Sequence, residues 1–292
     1  MQIKEIFDKK KLTLSFEVFP PKQQGNLDIL PQKIQTLAAL KPDFISVTCG
    51  AGGSTKDQTL EVSKMVADSG TASLTHLTCV SATKEKIGEA VKEMKAAGIE
   101  NVLALRGDIP QGMTEEEATR DGYKHADELT AVLKQAGFCV GGACYPEGHP
   151  ESANRMEDIE LLKRKVDAGA DFLTTQMFFD NDMLYSFLYR LEAAGIHLPV
   201  LAGIMPITAT SQIPKMIKLS NAFIPRKLLA ICDRFGSSPE ALRQAGIAYA
   251  TDQIIDLISN GIRGVHLYTM NKPEIAQAIM QNVDDIFGAC NK

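Results

Sequence analysis

The chain has no apolar run approaching the ~20 residues a helix needs to cross a bilayer. Its N-terminal lysines, in MQIKEIFDKKKLTL, are not followed by a continuous apolar segment, so the start does not read as a signal peptide. Both absences predict a soluble, cytoplasmic protein with no membrane partner. A basic patch is missing too: the net charge is -5 and the positive residues are scattered, which argues against nucleic acid as a partner. The six cysteines, at 49, 79, 139, 144, 232 and 290, form no CxxC pair. They read as small apolar residues in a reducing compartment, not as a disulfide framework or a metal site. There is no linker or low-complexity stretch, so residues 1–292 are expected to form one domain.

Several catalytic signatures are also missing. No GxGxxG follows an early strand, which removes the main sign of a dinucleotide-binding open sheet. No GxSxG nucleophile elbow is present. For catalytic zinc, only Glu147 and His149 in YPEGHPE offer nearby ligands, where three are needed.

What is there is a rhythm. Eight β-rich runs recur: LSFEVFPP (14–21), DFISVTCGAG (43–52), ASLTHLTCV (72–80), NVLALRGD (101–108), CVGGACYPEG (139–148), DFLTTQMFFD (171–180), PVLAGIMPI (199–207) and GVHLYTMN (264–271). None contains a lysine, which disfavours Schiff-base chemistry inside a barrel. Between the runs the apolar spacing becomes helical, as in Ile87, Ala90, Val91, Met94 and Ala97, or Met156, Ile159, Leu162 and Val166. AAGIE, QAGFC, DAGAD, EAAGI and SNGIR place glycine where a left-handed helix C-cap is expected. Alternating β and α units imply a parallel sheet with helices outside. Eight units in 292 residues fit a (β/α)8 TIM barrel better than an open sheet, with an extra helical segment around residues 223–245 before the last unit.

In such a barrel the active site lies at the C-terminal ends of the strands. Polar residues crowd those ends: Glu17, Thr48, His76, Arg106 with Asp108, Tyr145 with Glu147 and His149, Gln176, and Tyr268 with Asn271. In LSFEVFPP, alternation puts Leu14, Phe16 and Val18 on one face and Ser15, Glu17 and Phe19 on the other, so Glu17 points away from the apolar stripe. Two readings stay open: a general acid in a partly desolvated mouth, or a structural carboxylate paired with a cation. Arg164 and Lys165, beside Asp158 in LKRKVDAGAD, read either as a phosphate and ribose site or as a solvated basic face.

The runs SFEVFPPK, ISVTCGAGGS, THLTCV, ALRGD, YPEGHPE, LKRKVDAGAD, TTQMFFD, GIMP and HLYTMN, taken in order, resemble the methylenetetrahydrofolate reductase family in its short bacterial form, the catalytic barrel alone. The resemblance implies non-covalent FAD and reduction of 5,10-methylenetetrahydrofolate to 5-methyltetrahydrofolate, a step of one-carbon metabolism and methionine biosynthesis. NADH is the default electron donor, and a partner electron-transfer protein the alternative; a homo-oligomer is expected. Glu17 would be the general acid, and Asp108 would lie by the flavin and contact the pterin. Flavin contacts carried over by motif are Thr48, His76, Arg106, Gly107, Asp108, His125, Ala126, Tyr145, His149, Asp158, Arg164 and Lys165. Folate contacts would be Gln176, Gln212 and Lys272. The chain departs from the family pattern at Cys49, Leu161, Lys272 and Met216, the last replacing an aromatic residue that stacks on nicotinamide or folate in some members. A flavin-free lyase on the same fold and a folate- or flavin-binding subunit are the contrasting expectations.

Overall fold

Eight parallel strands close on themselves in sequence order, β1 to β8, in a computed structural model that describes residues 1–21, 28–49, 56–220 and 222–292. They are β1 (Thr13–Val18), β2 (Phe44–Val47), β3 (Ala72–Thr78), β4 (Asn101–Leu105), β5 (Cys139–Cys144), β6 (Phe172–Thr175), β7 (Val200–Ile204) and β8 (Gly264–Tyr268). Each strand coincides with one of the eight runs, β1 beginning one residue before its run, and each stops short of the run's end. The surplus residues at the C-terminal ends are loop, and parts of the first two motifs, Lys22 and residues 50–54, lie outside the described residues.

The helices follow the expected alternation: α2 (Leu30–Ala38), α3 (Lys56–Asp68), α4 (Lys84–Ala96), α6 (Ala126–Gln135), α7 (Arg155–Asp167), α8 (Asn181–Ala193), α9 (Gln212–Ser220) and α12 (Pro273–Cys290). A short α5 (Glu115–Thr119) precedes α6. The extra segment before the last strand is α10 (Arg226–Phe235) followed by the long α11 (Pro239–Ser259). The expected glycine stops are real: Gly98, Gly137, Gly169, Gly195 and Gly261 all have φ between 71° and 107°. The α4 stripe packs against the barrel as its spacing requires, with Ile87 and Met94 buried. In α7 the stripe starts later than periodicity suggests. Ile159 and Leu162 are buried, but Met156 is 67% exposed in the first turn, directly after the Asn154 N-cap.

Alternation along the strands separates two cores. Leu14, Phe16 and Val18 face outward and pack with Leu30, Ile34 and Leu37 of α2 and Ile279 and Val283 of α12. The opposite face fills the lumen, whose lower end is apolar: Phe44, Leu74, Leu103, Cys139, Phe172 and Leu201. That end is stoppered by α1 (Ile3–Lys9), a helix the sequence reading did not foresee, through Ile3, Ile6 and Phe7. Phe7 and Phe172 have ring centroids 5.6 Å apart. The stopper is pinned by polar contacts: Ile3 N donates to Asn101 Oδ1 at 2.7 Å, and Arg263 Nη2 donates to the Phe7 carbonyl at 2.7 Å. A third cluster, with Phe179, Met205, Ile207, Met216, Ile224 and Leu228, joins α9 and α10 to the ends of β6 and β7.

One glycine tests this packing. A Cβ on Gly246, in the middle of α11, would lie 1.7 Å from the Ile207 carbonyl oxygen. Helix propensity alone favours alanine there by ~0.5–1 kcal/mol, whereas forcing α11 off the β7 loop costs ~1–3 kcal/mol. Gly246→Ala is therefore expected to destabilise the protein, as measured by the midpoint of denaturant unfolding; a stabilised variant would show that the contact is loose.

Candidate functional site

Strand register decides which lumen residues meet. Across the closing seam Ser15 pairs with His266 and Glu17 with Tyr268, while on the other side Glu17 pairs with Ser46 of β2. The Glu17 carboxylate, 17% exposed, has Oε2 at 3.9 Å from His76 Nε2 and at 3.7 Å from His266 Nε2. Those separations are beyond hydrogen bonding, so the carboxyl is flanked by two imidazoles and bonded to neither. His266 is held from behind, with Nδ1 2.8 Å from Ser15 Oγ. Its ring meets Tyr268 edge-on, centroids 5.1 Å apart. The Tyr268 hydroxyl in turn donates to the Thr175 carbonyl at 2.7 Å, and burial holds its pKa well above that of an ordinary phenol. Gly203 makes this possible, because a Cβ there would come within 2.9 Å of that hydroxyl.

His76 is buried, and its Nε2 has no hydrogen-bond partner. Loss of hydration outweighs the attraction of Glu17 and, with a smaller push from His266, brings its pKa down to about 4. The ring is therefore neutral at physiological pH.

Above this cluster the lumen opens into a cavity of about 780 Å³. Its rim is built where strands end. After β4 the chain turns through Arg106, Gly107 and Asp108. Gly107 has φ +88° and would place a Cβ 2.9 Å from Val80 Cγ1, so only glycine lets the turn lie against β3. Arg106 Nη1 lies 2.6 Å from the Glu151 carboxylate, which raises its pKa. Beyond β5, Tyr145 and His149 stack edge-on with centroids 4.6 Å apart, and burial pushes the Tyr145 phenol up to about 12. Asn154 caps α7 by accepting from Met156 N and Glu157 N, which sets the phase of Asp158, Arg164 and Lys165. Lys165 Nζ donates to the Ala143 carbonyl at 2.9 Å, and burial lowers its pKa. Asp158 is buried and accepts from Ser152 Oγ at 3.3 Å. His125 is the N-cap residue of α6 and Ala126 opens that helix.

Of the site residues expected from sequence, Glu17, His76, Arg106, Gly107, Asp108, His125, Ala126, Tyr145, His149, Asp158, Arg164, Lys165 and Gln176 all line this one cavity, as do Cys49 and Leu161. Thr48, Gln212 and Lys272 do not. The Thr48 carbonyl accepts from Thr59 Oγ1 at 3.1 Å. The Gln212 side chain braces its own turn, with Oε1 accepting from Thr208 N at 2.8 Å and Ala209 N at 2.9 Å. Lys272 is exposed at the N-cap position of α12. Met216 is buried in the α9–α10 cluster and does not line the cavity. Sequence reasoning missed His266 and Glu151. His266 was findable: it lies two residues before Tyr268 on the same strand, hence on the same face. No periodicity marks Glu151, which is in a loop.

The chemistry is divided by depth. Arg106, Arg164 and Lys165 give the cavity cations for an anionic group. Deeper, Ser46 Oγ, His76 Nε2, Thr78 Oγ1 and Thr174 Oγ1 are buried without partners, and all four residues line the cavity. A buried polar atom left unpaired is costly, so these atoms suit a ligand that supplies the missing hydrogen bonds. The volume falls in the ~300–1,000 Å³ range of small-molecule and cofactor sites. Among the described residues no group of three or more His, Cys, Asp or Glu is arranged to hold a metal ion. Burial pushes the Cys79 thiol up to about 11 and the Cys139 thiol to about 12, as expected of cysteines that pack and do not react. Among the described residues no helix is long and apolar enough to cross a membrane.

Comparison with known proteins agrees with this geometry. The family model described as methylenetetrahydrofolate reductase matches residues 2–284. The chain is 35% identical to the 5,10-methylenetetrahydrofolate reductase of Pectobacterium carotovorum subsp. carotovorum, over 92% of this chain and 89% of that protein. It is 34% identical to methylenetetrahydrofolate reductase (NADH) 1 of Arabidopsis thaliana, over 97% of this chain and 50% of the plant protein. Among solved structures, an uncharacterised Clostridium thermocellum protein that binds two copies of 5-methyl-5,6,7,8-tetrahydrofolic acid superposes with a TM-score of 0.67, covering 99% of this chain and 100% of that one. At 13% identity that last likeness establishes the fold alone.

The His76 environment sets a pH dependence. A histidine with a lowered folded-state pKa contributes its full share of stability above its ordinary value of about 6.5, and that share is lost as pH falls toward about 4. NMR titration is expected to show His76 neutral across the physiological range. His76→Gln should flatten the decline in unfolding free energy between those two pH values, and an unchanged slope would place the loss in other groups.

Proposed function

Because the chain belongs to the methylenetetrahydrofolate reductase family, we propose that it is an FAD-dependent enzyme reducing 5,10-methylenetetrahydrofolate to 5-methyltetrahydrofolate, with Glu17 as the general acid. The observation that carries the reading is the cavity's division by depth: cations and Gly107 around its mouth, and one carboxyl between two imidazoles on its floor.

The residues present fit a flavin dinucleotide. Arg164 and Lys165 would hold the diphosphate and ribose, with Asp158 and His149 beside them, and His125 and Ala126 at the start of α6 would line the same binding path. Gly107, with no side chain, would let the backbone approach the ring closely, and the unpartnered Ser46, His76, Thr78 and Thr174 atoms offer hydrogen bonds to its polar edge. Thr48 belongs to the same contact set by family pattern. Bound there, the flavin supplies the hydride.

This chain's own groups do the rest. Arg106 and Asp108 stand at the end of β4, where Asp108 would contact the pterin and its negative charge would bear on the flavin. Gln176, at the end of β6, would hold the folate, and by family pattern Gln212 and Lys272 would contact it from outside the cavity wall. Glu17 gives its proton to a folate nitrogen, opening the methylene bridge so that the carbon can accept hydride. Desolvation by the filled cavity strengthens each of these contacts. NADH is the donor we assign, in keeping with the name of the plant relative; reduction by a partner protein is the alternative that a direct test separates.

The purified protein is expected to show a flavin absorption spectrum that bleaches on anaerobic addition of NADH. A coloured protein that neither NADH nor NADPH bleaches would assign reduction to a partner. A colourless one would remove the flavin reading. Glu17→Gln should keep FAD and its reduction by the donor, yet lose ~10²–10⁴-fold in folate reduction, the usual contribution of general acid catalysis. Equal loss of both half-reactions in stopped-flow measurements would remove the general-acid role.

A further inference from the structure

We propose that His266, held by Ser15, is a positioning residue for Glu17 and governs when that carboxyl carries its proton. The inference rests on the reading of Glu17 as proton donor. It starts from a second buried imidazole on the cavity floor, to which neither the family pattern carried over above nor the sequence signature gives a task.

His266 and Ser15 are both buried, at 2% and 0% exposure. They come from opposite ends of the chain and meet because β1 closes on β8 in one register. The ring is fixed in two directions: Ser15 Oγ holds Nδ1 at 2.8 Å, and the Tyr268 ring, itself tied to the Thr175 carbonyl, meets it edge-on. Both contacts favour the orientation in which Nε2 faces Glu17 Oε2, 3.7 Å away.

A neutral imidazole donates from one nitrogen and accepts at the other. Ser15 can serve either tautomer, since its hydroxyl has a second acceptor in the Val265 carbonyl at 3.4 Å. With the hydroxyl turned to Val265, Nδ1 carries the hydrogen and Nε2 presents a lone pair, which favours Glu17 as a carboxylic acid. With the hydroxyl donating to Nδ1, Nε2 carries the hydrogen and favours the carboxylate. A general acid must be the first before transfer and the second after it. In the transfer itself the Glu17 O–H bond breaks, a bond from hydrogen to the folate nitrogen forms, and the carboxylate is later reprotonated from solvent. The Ser15–His266 pair can supply either tautomer, and a small closure of the present 3.7 Å gap between Nε2 and Oε2 would make the hydrogen bond in each state. The other groups around the carboxyl are His76 on β3 and Tyr268 on β8, with Ser46, which does not titrate, on β2. His76 faces the same oxygen, but its Nε2 is unpartnered and its ring is kept neutral by burial, so it shares the site without a comparable brace.

The test is the pH dependence of the folate half-reaction in His266→Asn and Ser15→Ala, alone and combined with Glu17→Gln. Flavin content and donor half-reaction are followed as controls, and the Glu17 carboxyl is titrated by ¹³C NMR. Both single variants should keep the controls and shift the pH limb of folate reduction together with the Glu17 titration midpoint. His266→Asn should lose up to about 100-fold at neutral pH, the scale of a ~1 Å misplacement of a reacting group, and should add nothing in the Glu17→Gln background. An additive loss, or an unmoved limb and midpoint, overturns the proposal. Ser15→Ala removes one hydroxyl and decides the matter by itself if His266→Asn does not fold. If Glu17→Gln leaves folate reduction intact, the general-acid reading fails first and this inference falls with it, a result distinct from additivity.

Discussion

The seam between β1 and β8 is the contact on which everything else depends. Thr13 pairs with Gly264, Ser15 with His266 and Glu17 with Tyr268, so residues some 250 positions apart become neighbours in one wall. The seam is tight at its lower end, where a Cβ on Gly264 would lie 2.4 Å from Thr13 Oγ1 and 3.0 Å from Leu201 Cδ2. Closure removes the two edges that an open sheet would leave unpaired. Its chemical effect is larger. A slip of one residue would turn Glu17 to the helices and Phe16 into the lumen, exchanging the acid for a benzyl group.

Once the register is set, the lumen grades from apolar to polar along its length. At the bottom Phe172 contacts Phe7 and Phe44, and α1 shuts out water. One or two layers higher, Glu17, Ser46, His76 and His266 line the cavity, with Ser15 buried behind His266. A low-dielectric floor beneath a polar layer strengthens every electrostatic contact made there and raises the cost of every group left unpaired. His76 shows the cost: the nearby carboxylate does not keep its ring charged against desolvation. The same economy explains why so few ionisable groups suffice. In the lumen, one carboxyl flanked by two rings has more influence than many charges at the surface, where water screens them.

Much of this was legible in the sequence, and the reasons it was or was not are physical. Strand positions could be read because the runs are bounded by turn residues and the helices before β3 to β8 end at a glycine with positive φ, a local constraint. The direction of Glu17 could be read because alternation has a period of two. Where β6 ends could not, because the residues after it, Phe178 and Phe179, are as apolar as a strand but pack into the helix-facing core and the α9–α10 cluster respectively. The α1 stopper could not be read either, since IKEIFDK carries too few turns for a periodic signal and its apolar face has meaning only beneath the barrel. The face of His266 could be read from Tyr268 two residues on, but its Ser15 partner could not, because that pairing comes from closure of β1 on β8. Gln212 illustrates the reverse. A motif position chosen for a ligand is, in this arrangement, also the bracket that shapes its own turn.

The stretch YPEGHPES shows how a loop gains the rigidity of a strand. Glu151 pairs with Arg106 across the gap to β4, and Glu147 accepts from Phe223 N at 2.7 Å beside the α9–α10 segment. Arg190 of α8 donates to the Pro146 carbonyl at 3.0 Å, Ser152 donates to Asp158, and the Tyr145 ring leans on His149. All but the Tyr145–His149 contact tie a different part of the chain to the same eight residues. A surface ion pair by itself is worth little, ~0–1 kcal/mol, so none of these fixes the loop alone. Together they leave it few alternatives, and the cations of α7 inherit its position because the helix starts where the loop ends, at the Asn154 cap. The geometry of the mouth is thus set by redundancy among weak contacts, and that of the floor by a single register, which is why the floor tolerates change least.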